Sequence, residues 1–416
     1  GLIVVENSRK FLAEIADIYY HSPSKNLKIV GVTGTKGKTS TAMILKEIFE
    51  AASFKTGLIG TIQYEVGQRI VPSTNTTPES IDIQALLAEM VRAGLTHAIL
   101  EVSSHSIDQG RIECISFDAG IFTNIASHEH LDYHKNFRNY LESKLKFFST
   151  YLPASKKKDK IAVINIDDVY SRIFINTARE KKLNVVTYGL SRKAEFKAEN
   201  FTFDRNGTSF VLRGKKFSTK LLGSGNLYNC LAAISTAVSS GISIDTAVSV
   251  LGNIKNIPGR MEFIDTGRPF TVVVDYAHTH RALEELLKTV RHLNPGRILL
   301  VFGCGGDRDR SKRPIMGKIA ARFADRVYIT SDNPRNENPN QIISDIYRGI
   351  PFWYKRKCEL IPDRRSAIKS ALSCARENDW VVIAGKGHEQ YQIIKNIFYQ
   401  FDDRKVVLEL LKEINN

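Results

Sequence analysis

Segment 27–40, LKIVGVTGTKGKTS, restricts this chain more than any other stretch of its 416 residues. The apolar run Ile29, Val30, Val32 has no helical period and reads as a buried strand, and residues 39–52 read as the helix that follows. Between them stand glycines at 31, 34 and 37, then Lys38 and Thr39. A strand, a glycine turn and a helix N-terminus aim backbone N–H groups at an anion, and the helix dipole adds to the attraction. In such a loop Lys38 would meet the terminal phosphates of a nucleotide and the Thr39 hydroxyl a magnesium ion. The spacing is unusual, because the common pattern G-x-x-x-x-G-K-[ST] needs a glycine where Val32 stands. A plain strand-to-helix turn is the alternative, and a lysine and a threonine directly after three glycines argue against it. The loop predicts a nucleoside triphosphate without naming a chemistry.

A chain this long exceeds one core and predicts two or three domains. From residue 27 to about 258, strand-like runs such as 98–102, 119–123 and 161–165 alternate with helical patterns, which argues an α/β domain with a mostly parallel sheet. Around Arg205-Asn206-Gly207 the texture shifts to short alternating runs, a hairpin signal, so a small antiparallel piece is expected at one edge. Pro258-Gly259 marks a break. Beyond it, runs 270–275, 297–302, 326–330 and 380–384 predict a second doubly wound, Rossmann-like domain.

Composition excludes several classes. No apolar run reaches the ~18–20 residues of a membrane span, so no membrane insertion is expected. The five cysteines (114, 230, 304, 358, 374) form no C-x-x-C pair and fit reduced cytoplasmic thiols better than a disulfide framework or a zinc site. The net charge of +15 invites a nucleic-acid reading, but Lys and Arg are spread along the chain and the one dense run, 156–160, falls in an expected loop. Basic chains equally suit polyanionic small substrates, and no nucleic-acid partner is expected.

In open parallel sheets, ligands bind beyond the carboxyl ends of the strands. Glu101, at one such end, would join Thr39 as a hard oxygen ligand for Mg2+; capping a turn is its other reading. His128, His130 and His134 follow the next strand, but their spacing is not that of a tetrahedral zinc site and no cysteine is near. In the second domain the strand ends lead into Asp275–His278, Gly303–Asp309, Ser331–Arg335 and Gly385–Glu389. Asn226 and Asn229 open a helix; they either cap it or hydrogen-bond a nucleotide, and spacing does not decide.

Together these segments resemble the Mur ligases, the ATP-dependent amide-forming enzymes of peptidoglycan precursor synthesis. The family loop reads G-T-x-G-K-[TS], here Gly34, Thr35, Lys36, Gly37, Lys38, Thr39, followed by Ser40, so the odd spacing is the family's own. Seven motifs occur in order over nearly the whole chain, most like the members that add the third stem-peptide residue. The resemblance implies that Asn75, Thr76, Thr77, Ser103, Gln109 and Arg111 bind UDP-N-acetylmuramoyl-dipeptide. It implies that Thr39, Glu101 and His130 hold magnesium, and that Lys144, in Tyr140-Leu-Glu-Ser-Lys144, is carbamylated to support a second Mg2+. Lys38, Lys144, Glu101 and His130 would then be catalytic. Asn229, Arg260 and Asp275 match positions that contact ATP. Arg308, Asp332, Asn333, Pro334, Arg335, Gly385 and Glu389 match a site for meso-diaminopimelate. An Arg fork suits the distal carboxylate that lysine lacks, and Glu389 would meet the distal ammonium.

The chain departs from the family pattern at Lys36, where Asn is usual, at His128-Glu129, where Arg-Asp is common, and at His280, where Pro is usual. At the front, residues 1–24 match only the last helix of the family's uridine-gripping domain, leaving an ATP-binding domain at 25–257 and an amino-acid-binding domain at 258–416. The implied route is an acyl phosphate on the substrate's D-glutamate, attacked by the free amine after domain closure about a hinge near 257–259. A cytoplasmic monomer is expected. Two other readings stay open: a ligase for another acceptor or amino acid (L-lysine-adding, or an archaeal pseudomurein peptide ligase), and a non-catalytic nucleotide-binding protein. The second would be expected to have lost Lys38, Glu101 or Lys144, and all three are present.

Overall fold

The computed structural model describes residues 4–127 and 129–414, so His128 lies outside the described residues, as does the side chain of Asp132. The chain divides into two compact units, 1–255 and 256–416. Among the described residues, no helix is long and apolar enough to cross a membrane.

The first unit is built on one sheet of eleven strands. In chain order they are β1 (Lys28–Thr33), β2 (Thr56–Ile59), β3 (Gln63–Val66), β4 (Arg69–Pro72), β5 (His97–Val102), β6 (Ala119–Phe122), β7 (Ile161–Asn165), β8 (Asn184–Gly189), β9 (Phe196–Asp204), β10 (Gly207–Leu212) and β11 (Lys215–Thr219). Their spatial order is β11-β10-β9-β8-β7-β6-β1-β5-β2-β3-β4. The run from β2 through β5, β1, β6, β7 and β8 to β9 is parallel. Its central strands are nearly continuous apolar runs because helices cover both faces. The hairpin at Arg205-Asn206 forms, with Gly207 paired to Asp204. Antiparallel pairing was expected at one edge, but it occurs at both: β3 and β4 extend the opposite edge through a two-residue turn whose Gly67 has φ +61°.

The second unit carries a sheet ordered β12-β13-β17-β14-β15-β16, with β12 (Glu262–Ile264), β13 (Thr271–Asp275), β14 (Ile298–Phe302), β15 (Arg326–Ile329), β16 (Cys358–Leu360) and β17 (Trp380–Ala384). All pairs are parallel except β12 with β13. A separate hairpin, β18 (Tyr391–Ile394) with β19 (Ile397–Gln400), follows β17.

One packing detail positions chemistry. The helix Phe137–Lys146, capped by Asn136 accepting from the Asn139 amide, runs directly into a π-helical turn, Phe147–Tyr151. Phe147 and Phe148 of that turn are fully buried, packed against Phe117 and Phe174. Truncating either to Ala is expected to cost about 3–5 kcal/mol, so the helix is held firmly in place.

Candidate active site

The phosphate loop spans the end of β1 and the start of the helix Lys38–Ala51. Gly37 is the N-cap residue with φ +86°, and a Cβ there would stand 2.3 Å from Asn229 Oδ1. Only glycine satisfies both the left-handed backbone and that close approach. Around it the loop is tied down: Ala126 N donates to Thr35 Oγ1 at 2.9 Å, Thr35 Oγ1 shares a 2.8 Å hydrogen bond with Tyr140, and Thr123 and Asn124 side chains donate to Lys36 O. Lys36 contributes its backbone carbonyl to these two bonds, which any residue supplies. Lys38 Nζ folds back to Gly34 O at 2.9 Å and Thr35 O at 3.1 Å. Ser40 is buried in the first helical turn.

Beside the loop, Thr39 Oγ1 donates to Glu101 Oε2 at 2.9 Å. Glu101 is 1% exposed and also accepts from Thr61 N and Thr61 Oγ1, both at 2.8 Å. Lys144 Nζ, from the helix Phe137–Lys146, donates to Gly34 O at 2.9 Å. Burial first, and then the Lys38 charge, hold its amine well below the ordinary lysine range. His130 has φ +58° and sits among His105, His134 and Tyr140. Burial, with Lys38 and Lys144 nearby, pushes its imidazole down to about 3, so it is neutral at physiological pH. Among the described residues, no three His, Cys, Asp or Glu side chains gather as a metal cage. A magnesium ion that keeps its waters and phosphate oxygens needs only one or two carboxylates, and the adjacent Thr39 hydroxyl and Glu101 carboxylate fit that demand.

Of the six residues matched to the muropeptide, Thr76, Thr77, Ser103, Gln109 and Arg111 are linked by hydrogen bonds around Glu101 and Thr61, and Asn75 adjoins them in sequence. Thr77 Oγ1 donates to Glu101 O at 2.7 Å and accepts from Ser103 N at 3.0 Å. Arg111 reaches Thr77 O and Gln109 Oε1, and ion-pairs with Glu79 at 3.0 Å. Thr76 Oγ1 accepts from Thr61, and Asn75 is braced by Tyr64. Ser103 also caps the helix Ser104–Asp108. Asn229, on the helix Ser224–Ser239, lies against the phosphate loop, while Gly223 takes the cap position with no side-chain capping bond. Asn226 Nδ2 donates to Leu222 O at 2.9 Å and Asn229 Nδ2 to Asn226 Oδ1 at 3.1 Å, so the pair ties down the helix start as well as lying beside the loop.

The remaining candidates lie in the second unit. Asp275 accepts from Met261 N at 2.7 Å and Ala277 N at 2.8 Å, and Arg260 stacks 4.8 Å over the Tyr276 ring. His280 is the first residue of the helix His280–His292, where proline's missing N–H would also be tolerated. Gly385, with φ +114°, lies where a Cβ would stand 2.6 Å from Asp332 Oδ2, and that oxygen is buried without a partner. Asn333 Nδ2 donates to Glu389 Oε2 at 2.8 Å, and Lys386 Nζ is 3.1 Å from both Asn333 Oδ1 and Glu389 Oε2. Arg335, with φ +50°, donates to Gly306 O at 2.8 Å, and the Pro334 carbonyl packs against the Gly306 backbone. Arg308 is exposed and bonds Asp307 O. The structure thus gathers 332–335, 385 and 389 into one cluster and places Arg308 on the adjoining loop.

Thr61, Tyr140, Lys386 and Glu337 were not expected as site residues. Lys386 lies inside the strand-end segment 385–389 and Tyr140 inside 140–144, so both were legible there. Thr61 lies forty residues from its partner Glu101, so only the register of β2 against β5 brings them together.

The Mur ligase middle domain matches residues 32–237, and the Mur ligase glutamate ligase domain matches 259–387. The UDP-N-acetylmuramoyl-L-alanyl-D-glutamate--2,6-diaminopimelate ligase 1 of Clostridium acetobutylicum is 42% identical over 99% of this chain and 84% of its own length. The corresponding ligase of Bacillus cereus is 39% identical over 100% and 84%. A solved structure of such a ligase superimposes with a TM-score of 0.70 at 34% identity, covering 100% of this chain and 84% of that one. A folylpolyglutamate synthase of Mycobacterium tuberculosis shares the fold alone, with a TM-score of 0.72 at 17% identity. With both domains matched in order and relatives at this identity along almost every residue, the chain belongs to the Mur ligase family.

Proposed function

We propose that this protein is an ATP-dependent ligase that joins meso-diaminopimelate to UDP-N-acetylmuramoyl-L-alanyl-D-glutamate through an acyl phosphate. The observation that carries this reading is the similarity, at 39–42% identity over nearly all residues, to ligases named for that reaction. The site chemistry supports it. A carboxylate and an ammonium do not condense at neutral pH without activation. The D-glutamate carboxylate oxygen attacks the γ-phosphorus and ADP leaves. The amine then attacks the acyl carbon, the C–O bond to phosphate breaks, and the amine gives up a proton.

Loop N–H groups and Lys38 bind and orient the triphosphate, and positioning and charge stabilisation supply most of the catalysis. Thr39 and Glu101 would hold one Mg2+, and His130 with a carbamylated Lys144 a second. Bound there, magnesium would neutralise charge on the transferring phosphoryl group. A neutral Lys144 amine is the form that adds carbon dioxide, and its buried position supports the modification. Arg335 and Arg308 receive the distal carboxylate, with Asn333 and Glu389 facing the ammonium groups.

Mass-spectrometric detection of the UDP-linked tripeptide, with ATP, the UDP-dipeptide and meso-diaminopimelate, tests the reading. No product with diaminopimelate, but product with another amino acid, would keep the family and refute the substrate.

A further inference from the structure

Two loops carry the candidate amino-acid site: 303–311 after β14 and 330–338 after β15, adjacent parallel strands. They are joined by more than their strands. Glu337 Oε1 accepts from Asp307 N at 2.6 Å and from Arg313 Nη2 at 2.8 Å, while Oε2 accepts from Arg313 Nη1 at 3.0 Å. The Arg313 side chain is 0% exposed and Glu337 10%. Arg313 also reaches Asp345 Oδ2 at 3.0 Å. On the outer side, Asn336 Nδ2 donates to Asp307 Oδ2 at 2.9 Å, and Gly306 N donates to Asn333 O at 2.9 Å. Asp307 and Arg335 are both held in the left-handed region, φ +53° and +50°, conformations that persist only where surroundings over-determine them.

The fork is a bidentate, charge-assisted pair between the second loop and the helix Lys312–Phe323 that follows the first, the arrangement that adds geometric specificity as well as energy. The Asp307 amide links Glu337 to the first loop itself. Arg308 follows Asp307 directly, and Arg335 lies two residues before Glu337. The Glu337 bonds thus anchor the backbone beside both guanidiniums. We propose that Glu337, acting through Arg313 and the Asp307 amide, is a positioning residue that sets the spacing of Arg308 and Arg335, and so which amino acid the site accepts. This rests on the reading that these loops receive the amino acid.

Steady-state kinetics on the whole chain tests it, with the wild type measured first. If wild type turns over another amino acid and not diaminopimelate, the substrate reading fails, and the fork is tested with the amino acid that works. Glu337→Gln keeps the shape and loses the charge; its amino-acid KM should rise roughly ten- to hundred-fold, the scale of a small misplacement of a binding group. The KM for ATP should stay within about twofold, and the preference for diaminopimelate over L-lysine should shrink, which a merely structural role would not produce. Glu337→Asp should be intermediate. Asn336→Ala, on the exposed side, loosens the same junction with little risk to folding and should raise the amino-acid KM by about threefold or more. Arg310→Ala removes a partner that is 70% exposed and should leave every constant unchanged. An amino-acid KM unmoved in both Glu337→Gln and Asn336→Ala, or an ATP KM rising in parallel, would overturn the proposal.

Discussion

The two candidate sites brace their charges in different ways. In the first unit, Lys38 and Lys144 both lean on the carbonyl oxygen of Gly34, a dipole within the loop. In the second, the bracing cations are matched by carboxylates: Lys386 with Glu389, Arg313 with Glu337, and Arg364 with Asp403 in a fully buried pair that also donates to Ala384 O. Arg335 and Arg308 there rest on the Gly306 and Asp307 carbonyls. A cation that rests on carbonyls, as Lys38 does, suits a ligand that brings its own negative charge, as a triphosphate does. A zwitterionic amino acid requires both signs at fixed distances, and paired charges on stiff loops supply that. The difference lies in the braces: both sites leave their ligand-facing cations on carbonyls, and only the second surrounds them with paired charges that fix their geometry.

That contrast can be broken by experiment. The largest effect is expected for Lys38→Ala, which should lower kcat by about three orders of magnitude or more, the scale of losing a positioned cation on a transferring phosphoryl group. ADP formation above a tenth of wild type would refute a neutralising role. Next comes Lys144→Arg, which keeps a long nitrogen donor but cannot form a carbamate. It should lose roughly a hundredfold in kcat, and wild type, unlike the variant, should respond to added bicarbonate. If the variant keeps wild-type rates, the modification has no catalytic part. Arg335→Ala should raise the amino-acid KM about ten- to hundred-fold, the loss of one charge-assisted fork, with ATP unaffected. An equal effect on both substrates would erase the distinction between the sites.

The smallest effect is on stability. The Arg313 guanidinium beside Glu337 lowers its carboxyl from 4.5 to about 2. A depressed carboxyl contributes stability above its unfolded pKa and loses it as pH falls, so the pair's contribution should fade between about pH 4.5 and 2. Thermal unfolding followed over that window should show a shallower acid slope for Glu337→Gln than for wild type. Identical slopes would show that the pair adds nothing measurable.

Much of this was legible because its signals are local. The strand, glycine turn and helix at 28–51 announce themselves through an apolar run followed by punctuating glycines, and the hairpin at Arg205-Asn206 through its turn residues. The β3–β4 edge was missed because its strands are four residues each and Gly67-Gln68 is an ordinary turn. The nearness of Thr39 and Glu101 was anticipated, since Glu101 lies near the end of β5 and Thr39 opens the helix that follows its neighbour β1. The Glu337–Arg313 fork was not, because a Glu in a polar loop and an Arg in a basic helix look solvated until loop packing buries them.

The most direct test of the account is the ratio of kcat/KM for meso-diaminopimelate over L-lysine, in wild type and in Arg335→Ala. The wild-type ratio should be about a hundred or more, as expected when a site's polar groups are left unpaired by the smaller substrate, and should collapse toward unity in the variant. A wild-type ratio near one, or a ratio that survives the loss of Arg335, would contradict it.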